Sequence, residues 1–473
     1  MSKIPVKDVT PKNETQSLYA KREKIYMREI KGVFQRLRKW LLWLLMIAYY
    51  GVAWLSWDGR QAVLFDLPAR QFHIFSITFW PQDFMLLAWI LIICAFGLFT
   101  VTNLAGRIWC GYACPQTSWA FLFMWIEEKV EGSRNARIKL DQQPNSLEKI
   151  RKKGLKHLLW ILLGLWTSFT FVGYFMPIRD LLPQILDFSL NGWASFWILF
   201  MGGMTYMNAG WLREQVCIYM CPYARFQSVM YDKDTYAVAY DFNRGEPRGV
   251  RSKKQTEEES QALGDCVDCS LCVQVCPVGI DIRDGLQYQC IGCALCIDAC
   301  DSVMEKIDLP KGLIRYATEE ELEGGKTHLV RPRLIGYLTV MLIMVLAFSY
   351  VLLSRMPFKL EVERGRGALY QLTVNDTVTN GYTLKLINMS QAPHAYTLSV
   401  ESVDGSLSQL KMDAPTSYQL NVNELREVPV TLEINPEQEP ALKSRNEIIF
   451  VVRDKETGEI VKQAKNAFMA PLN

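Results

Sequence analysis

Histidine is scarce in this chain of 473 residues, and its scarcity narrows the chemistry that the protein can perform. Only His73, His157, His328 and His394 are present, and only His157 lies at the mouth of a long apolar stretch. A haem held within a membrane needs histidine ligands inside the spanning segments, so the sequence argues against haem. The sequence also lacks a dinucleotide-binding glycine fingerprint and a phosphate loop. A net charge of +3 is too small to indicate nucleic acid as a partner.

Cysteine is absent after Cys300, so the last 173 residues contain no disulfide. Eight of the 13 cysteines lie instead between Cys266 and Cys300, in two runs. The first run has the spacing C-x-x-C-x-x-C-x-x-x-C-P, and each of its cysteines has a counterpart 24 positions later. The second run ends on Asp301 where the first has proline, which leaves the local turn open.

This spacing is typical of ferredoxins that hold two [4Fe–4S] clusters. Three closely spaced thiolates bind one cluster, and the fourth comes from the other run. Zinc or disulfides are the alternatives, but zinc sites use two pairs of ligands and not two runs of four. The sequence therefore predicts a carrier of single electrons. One cluster is assigned to Cys266, Cys269, Cys272 and Cys300, and the other to Cys290, Cys293, Cys296 and Cys276.

Long apolar stretches predict that the chain crosses a membrane five times. Each stretch has roughly 18–25 residues and almost no charge, as a spanning helix requires. Buried core helices of a large soluble protein are the weaker alternative. The five predicted spans cover approximately residues 40–57, 84–104, 158–176, 193–211 and 334–353.

Lysine and arginine alternate between rich and poor segments, which predicts the orientation of these spans. The segment before Trp40 carries 11 of them and the loop after the second span carries 10, whereas the loop after the third span has only Arg179. By the positive-inside rule, the N-terminus is cytoplasmic and the C-terminal domain periplasmic. The cysteine runs then lie in a cytoplasmic loop, where a reducing environment suits them. We expect a multi-pass protein of a bacterial inner membrane.

A second pair of cysteine motifs follows the second and fourth predicted spans. Both read C-x-x-x-C-P, and they are 107 residues apart. Such a parallel repeat brings equivalent sites together, within one chain or across a homodimer. Proline favours the first position of a helix, which places the second cysteine of each motif at an N-cap, where the helix dipole lowers the pKa of a thiol. The motifs comprise Cys110, Cys114, Cys217 and Cys221.

Thiolates at the membrane edge would select soft metals. Cu(I), zinc and iron–sulfur clusters all prefer sulfur ligands, so four accessible thiolates predict a metal site. The alternative is that these cysteines are small buried apolar residues.

Acidic residues also lie near the two cysteine runs. Their negative charge either disfavours reduction of a cluster, or the residues are ordinary solvated surface. These are Asp265, Asp268, Asp298 and Asp301.

The C-terminal part of the chain has the alternating pattern of β-strands. Asn380-Gly381 predicts a hairpin turn. About 110 residues of this kind predict a small immunoglobulin-like β-sandwich, which we interpret as a docking or stabilising domain. Strands are predicted at residues 370–374, 382–386, 396–400, 428–433 and 448–452.

The predicted fold is thus a multi-domain membrane protein with five transmembrane helices, a dicluster ferredoxin module of the bacterial type and an all-β tail. The predicted segments are a basic arm at 1–39, a four-helix membrane region at 40–235, a linker at 236–264, the ferredoxin module at 265–332, the fifth transmembrane helix at 333–355 and the β-sandwich at 356–473.

Together these features resemble the CcoG family, also called FixG or RdxA, whose members are accessory proteins for assembling cbb-type cytochrome c oxidase. The basic arm, twin C-x-x-x-C-P motifs, dicluster module, tail and the stretch from Cys276 to Gly285 carry the resemblance. The resemblance implies a cupric reductase, in which electrons pass through the two clusters to Cu(II) near Cys110, Cys114, Cys217 and Cys221. It also implies that Cu(I) reaches the oxidase's copper centre.

Two other classes of function stay open on the sequence. The chain could be a respiratory electron carrier between quinol and a partner reductase, since membrane ferredoxins associated with nitrate and nitrous oxide reduction have similar cysteine motifs. It could also be an assembly factor without redox activity. The expected partners are membrane lipid, a separate electron donor, a copper chaperone or transporter, and subunits of a cbb-type oxidase.

Overall fold

The computed structural model describes residues 24–473, except 252–262, 355–357, 366, 374–375, 391, 404–406, 408, 423, 441 and 472–473. Most of the predicted basic arm and the middle of the predicted linker lie outside the described residues. The chain divides into two compact units. The first comprises residues 1–52, 94–173 and 178–341, and the second comprises 53–93, 174–177 and 342–473.

Helices make up most of the first unit. In the described part of the chain they are α1 Val33–Val52, α2 Phe84–Ala105, α3 Ile108–Tyr112, α4 Pro115–Glu131, α5 Arg134–Gln142, α6 Leu147–Gly173, α7 Ile178–Leu186, α8 Gly192–Thr205, α9 Pro222–Met230, α10 Phe242–Gly245, α11 Leu271–Gln274, α12 Leu295–Met304, α13 Glu319–Leu322 and α14 Pro332–Leu353. Two π-helical segments, Tyr206–Leu212 and Val216–Met220, join α8 to α9.

Strands make up most of the second unit. They are β1 Ser56–Trp57, β2 Arg60–Gln61, β3 Val63–Asp66, β4 Gln71–Ile74, β5 Ile77–Phe79, β6 Ala237–Tyr240, β7 Ile314–Ala317, β8 Phe358–Arg364, β9 Gln371–Leu372, β10 Val378–Asn388, β11 His394–Ser402, β12 Lys411–Asp413, β13 Ser417–Leu420, β14 Leu425–Ile434, β15 Arg445–Asp454 and β16 Ile460–Met469. Of these, only β6 and β7 belong to the first unit, where they pair antiparallel.

Three helices of the described chain, α2, α6 and α14, are long and apolar enough to cross a membrane. They coincide with the second, third and fifth predicted spans and have the length and composition that a span needs. Helix α1 carries Arg36, Arg38 and Lys39 near its start, and α8 has only 14 residues before it continues as a π-helix. The first and fourth spans therefore stay predictions.

The predicted first span extends too far at its C-terminal end. Helix α1 ends at Val52, and Ser56–Trp57 pairs with Arg60–Gln61 as a hairpin. Asp58 and Gly59 between these strands have φ angles of 52° and 76°. Two consecutive residues with positive φ form the tight turn that matches strand twist. The chain here is therefore a hairpin and not a continuation of the helix.

The tail is a β-sandwich of two sheets that share one core. One sheet has the strand order β12-β14-β10-β8, with β9 also paired to β10, and the other has the order β13-β11-β15-β16. Alternate residues of β10, Tyr382, Leu384 and Leu386, point into the core, as period-two burial requires. Side chains from both sheets fill this core, among them Phe358 and Phe450.

The predicted hairpin turn at Asn380-Gly381 is wrong, because both residues lie inside β10. Gly381 pairs with Thr431 of β14. The buried Asn380 amide instead fixes the end of β16: its Nδ2 donates to the Met469 carbonyl at 2.8 Å, and its Oδ1 accepts from the Met469 N–H at 3.0 Å. A local turn signal is thus overridden by a contact 89 residues away.

Candidate functional site

Two cavities in the first unit are lined by the eight clustered cysteines. We call them the Cys269 site, lined by Cys266, Cys269, Cys272 and Cys300, and the Cys293 site, lined by Cys276, Cys290, Cys293 and Cys296. Cys272 lines both cavities. Cys276 and Cys300 each line the cavity of the other run, which is compatible with the crossed ligand sets, and the ligand sets themselves stay a prediction.

The backbone of the two runs bends in the same way at equivalent positions. Asp268 and Ser270, on either side of Cys269, have φ angles of 51° and 53°. Gly292 and Ala294, on either side of the equivalent Cys293, have φ angles of 64° and 59°. A left-handed backbone is costly for residues other than glycine, and its recurrence at equivalent positions indicates a shared demand to turn the chain around a ligand.

The donors and walls of both cavities fit a [4Fe–4S] cubane. Within the described residues, no three His, Cys, Asp or Glu side chains converge on a single metal ion. A cubane instead needs thiols distributed around the walls of a cavity. The cysteines of the Cys269 site and of the Cys293 site are arranged in this way. Burial raises the pKa of Cys276 and of Cys300 to about 12, so ligation would release protons from these thiols.

The four acidic residues near the clusters all have partners. Asp265 Oδ2 accepts from Arg244 Nε at 2.5 Å, and Asp268 Oδ1 accepts from Arg283 Nη1 at 2.5 Å. Asp301, which replaces the expected proline, lies within α12 and accepts the Gly312 N–H at 2.9 Å. The substitution lets α12 continue, whereas proline would interrupt it.

Asp298 joins α1 to the cluster-binding helix α12. It is buried, so solvated surface is the wrong interpretation for this residue. Its Oδ2 accepts the Gln35 N–H at 2.7 Å and its Oδ1 accepts the Phe34 N–H at 3.2 Å. Both N–H groups lie in the first turn of α1, where helical donors have no partner within the helix. A carboxylate there also offsets the positive end of the helix dipole.

The two C-x-x-x-C-P motifs have the same local structure. Cys114 is the N-cap of α4 and Cys221 the N-cap of α9, each followed by proline in the first turn, which confirms the predicted placement. The Cys114 N–H donates to the Trp109 carbonyl at 2.9 Å, and the Cys221 N–H donates to the Val216 carbonyl at 2.8 Å. The chain therefore makes the same turn before both cysteines.

Cys110, Cys114, Cys217 and Cys221 lie close together within one chain, and we call them the four-thiol group. Cys110 lies close enough to the other three for their charges to act on it. All four are half-buried. Burial raises the pKa of Cys110 to about 12 and that of Cys217 to about 11, so these two would be thiols until a metal displaces their protons.

The first C-x-x-x-C-P motif packs directly against the Cys293 site. A Cβ added at Gly111 would lie 2.9 Å from both the Cys293 Cα and the Ile291 carbonyl oxygen, so only glycine fits. The Tyr112 hydroxyl donates to the Cys293 carbonyl at 3.3 Å. Cys110 belongs to the same apolar cluster as Cys293. Direct packing thus links a membrane-edge thiol to a cluster ligand.

A buried ion-pair network holds the segment that leads to Cys217. Glu127 on α4 is fully buried, and its Oε2 accepts from Arg213 Nη2 at 2.7 Å. Lys24 and Lys156 lie 3.5 and 3.8 Å from its other oxygen. Arg213 has an unfavourable φ of 45° four residues before Cys217. No local pattern marks this pairing, because the two partners are 86 positions apart.

Replacing Glu127 with glutamine should destabilise the protein severely. The change preserves shape but leaves the buried Arg213 charge beside a neutral group, whereas Lys156 keeps Glu131 at 2.9 Å. Breaking a buried pair in this way costs about 3–5 kcal/mol. The measurement is thermal unfolding of the detergent-solubilised protein. Glu148→Gln is the matched control, because its pair with Lys152 is exposed to solvent and its loss should leave the unfolding temperature nearly unchanged. Equal unfolding temperatures for the two variants would contradict the assignment.

The same network predicts a pH dependence of stability. Burial alone would raise the pKa of Glu127, but Arg213, Lys24 and Lys156 outweigh it and lower the pKa from 4.5 to about 2. A lowered folded-state pKa stabilises the protein above the ordinary pKa, and this stabilisation is lost as the pH falls from 4.5 towards 2. In the Glu127→Gln variant, stability should therefore fall less steeply between pH 4.5 and pH 2 than in the wild type, as unfolding temperatures measured across this range would show.

The fold and the site together define a class of protein. A chain with two interlocked four-cysteine cavities and helices apolar enough for a membrane is a membrane-associated iron–sulfur protein of the dicluster ferredoxin type. Family models agree: a 4Fe-4S dicluster domain matches residues 212–319, a 4Fe-4S binding domain matches 87–130, and the IG-like fold at the C-terminal of FixG matches 348–471.

The relatives identify the family. Protein RdxB of Cereibacter sphaeroides is 42% identical over 407 residues, which cover 83% of this chain and 85% of RdxB. Nitrogen fixation protein FixG of Rhizobium meliloti is 40% identical over 424 residues, covering 82% and 80%. Protein RdxA of Cereibacter sphaeroides is 38% identical over 405 residues, covering 83% and 85%. The chain belongs to the FixG family.

Proposed function

We propose that this protein is a cupric reductase that passes single electrons to Cu(II) at the four-thiol group and supplies Cu(I) for assembly of a cbb-type oxidase. The observation that carries the proposal is the packing of Gly111 and Tyr112 against Cys293, which brings Cys110 into the same apolar cluster as Cys293. When bound, the clusters would each supply one electron, and each electron would reduce one Cu(II) to Cu(I).

The thiols would perform two tasks in this reaction. Sulfur ligands favour Cu(I) over hard cations, so the site would stabilise the product of the reduction. Because the pKa values of Cys110 and Cys217 are raised, copper binding would also displace protons from these thiols. No three of the described thiols converge on one ion, so we propose that a pair of them holds each copper.

The proposal also covers location and partners. We propose an inner-membrane protein with the cluster sites on the cytoplasmic side and the tail on the periplasmic side, as the distribution of Lys and Arg favours. A separate donor would supply the electrons, and a copper chaperone or transporter and the oxidase subunits would be the partners for copper.

The test is stopped-flow mixing of the reduced full-length protein with Cu(II) without oxygen. Cluster absorbance should return to the oxidised form as Cu(I) appears, one Cu(I) per electron. Gly111→Ala should slow this reaction at least tenfold, because a displacement of 1 Å between reacting groups can cost about 10²-fold. Gly203→Ala is the matched control, since its Cβ would meet nothing within 4 Å. Clusters that stay reduced in the presence of Cu(II) would refute the proposal.

A further inference from the structure

An arginine from α1 lies beside the Cys293 site with little to neutralise its charge. Arg38 is only 6% exposed, and its Cζ lies 3.3 Å from the centroid of the Phe121 ring. Its Nη2 donates to Gln35 Oε1 at 3.0 Å, and Gln35 is neutral. Its Nη1 is buried and has no hydrogen-bond partner among the described residues. Arg38 lines the same cavity as Gly111 and Tyr112, which pack against Cys293.

The carboxylates around Arg38 are already engaged. Asp298 is close enough to act on Arg38, but its two oxygens accept the Phe34 and Gln35 N–H groups. Glu29 lines the same cavity, and its Oε1 lies 2.7 Å from Lys39 Nζ. Glu128 also lines this cavity and is half-buried. None of these carboxylates forms an ion pair with Arg38 within the described residues.

The Cys269 site has an arginine in a comparable position, but its charge is neutralised. Arg283 lines that cavity. Its Nη1 lies 2.5 Å from Asp268 Oδ1, and its Nη2 lies 2.6 Å from Asp281 Oδ2. Two carboxylates therefore face one guanidinium. The two cluster sites thus differ in net charge although their cysteine spacing is the same.

We propose that Arg38 raises the reduction potential of the Cys293 site above that of the Cys269 site. Reduction adds one negative charge to a cluster, and a buried cation beside a ligand sulfur stabilises that charge more strongly than water-exposed groups can. Electrons would then collect at the Cys293 site, which is the one in contact with the four-thiol group.

This difference gives electron flow a direction, from the Cys269 site through the Cys293 site to Cys110. The direction rests on the proposed copper function, whereas the difference in potential does not. Arg38 would act through its charge from beside the Cys293 site, without contact with the copper. Helix α1 would thereby contribute to the electronic properties of the ferredoxin module.

The experiment is a redox titration of the full-length protein without copper, followed by EPR. The wild type should show two separate reduction steps. Arg38→Gln should shift the upper step so that, at a fixed potential, the ratio of reduced to oxidised cluster falls at least tenfold, which is 59 mV for one electron. Arg38→Lys should retain most of the potential. Arg36→Gln is the matched control, because Arg36 is exposed two residues earlier on the same helix.

Three outcomes would overturn the proposal. Two clusters with one common potential in the wild type would do so even if Arg38→Gln failed to bind iron. Unchanged potentials in an iron-replete Arg38→Gln protein would also do so. An equal shift in Arg38→Lys and Arg38→Gln would assign the effect to packing and not to charge. Because copper is absent, each result is independent of whether Cu(II) is the acceptor.

Discussion

Replacing Cys110 and Cys217 together with serine should abolish Cu(II) reduction and leave both clusters in place. One cysteine of each C-x-x-x-C-P motif is removed, so no motif keeps its pair of thiols. Serine keeps the size of the side chain but is a poor ligand for a soft metal, so Cu(I) loses its stabilising donors. The cluster ligands themselves are unchanged, and iron content should therefore stay at about eight per chain, four for each cluster.

The measurement combines metal analysis, EPR and the rate of Cu(I) formation. Cys94→Ser is the matched control, because Cys94 lies alone in α2 outside the four-thiol group. It should reduce Cu(II) at the wild-type rate. Full activity in the Cys110→Ser, Cys217→Ser protein would exclude the four-thiol group as the copper site. Loss of iron from that protein would instead show that these cysteines support a cluster.

Replacing Cys276 with serine should remove the cluster of the Cys293 site, although Cys276 belongs to the other run. Cys276 lines the same cavity as Cys290, Cys293 and Cys296, and the spacing predicts it as their fourth ligand. Loss of one ligand in four should labilise that cluster, so iron should fall from about eight to about four per chain. The cluster of the Cys269 site should remain, since its four thiols are intact.

Double variants distinguish the crossed arrangement from an uncrossed one. Cys276→Ser combined with Cys290→Ser should lose no more iron than either change alone, because both thiols line the Cys293 site. Cys276→Ser combined with Cys266→Ser should lose nearly all the iron, because the two thiols line different sites. The opposite pattern, with additive loss only in the first pair, would refute the crossed assignment.

Local patterns in the sequence predicted those parts of the molecule that depend on local spacing. The cysteine runs fix which thiols can reach one cluster, and proline fixes where α4 and α9 begin. The hairpin turn predicted at Asn380-Gly381 does not form, because the pairing of β10 with its neighbours and the contact with Met469 outweigh the local turn preference. Glu127 and Arg213 were missed for a related reason: their importance lies in a pairing across 86 positions that no periodicity marks.

The sequence also could not distinguish one acidic residue near the clusters from another. Asp265, Asp268, Asp298 and Asp301 look alike in composition, yet Asp298 is buried and bonds to α1, whereas the first two pair with arginines. Which carboxylate meets which partner depends on how separate segments pack. The same holds for Arg38. In the sequence it is one of 11 basic residues before Trp40, and nothing local distinguishes it from the others.

The position of Asp298 between Cys296 and Cys300 has a consequence for biogenesis. Under the crossed assignment these two cysteines bind different clusters, so we expect the turn of α12 that carries Asp298 to be held most firmly when both clusters are bound. Until then, the start of α1 would lack its acceptor. A newly made chain without iron would therefore hold its amino-terminal helix loosely, and quality-control proteases could recognise that looseness and remove the immature protein.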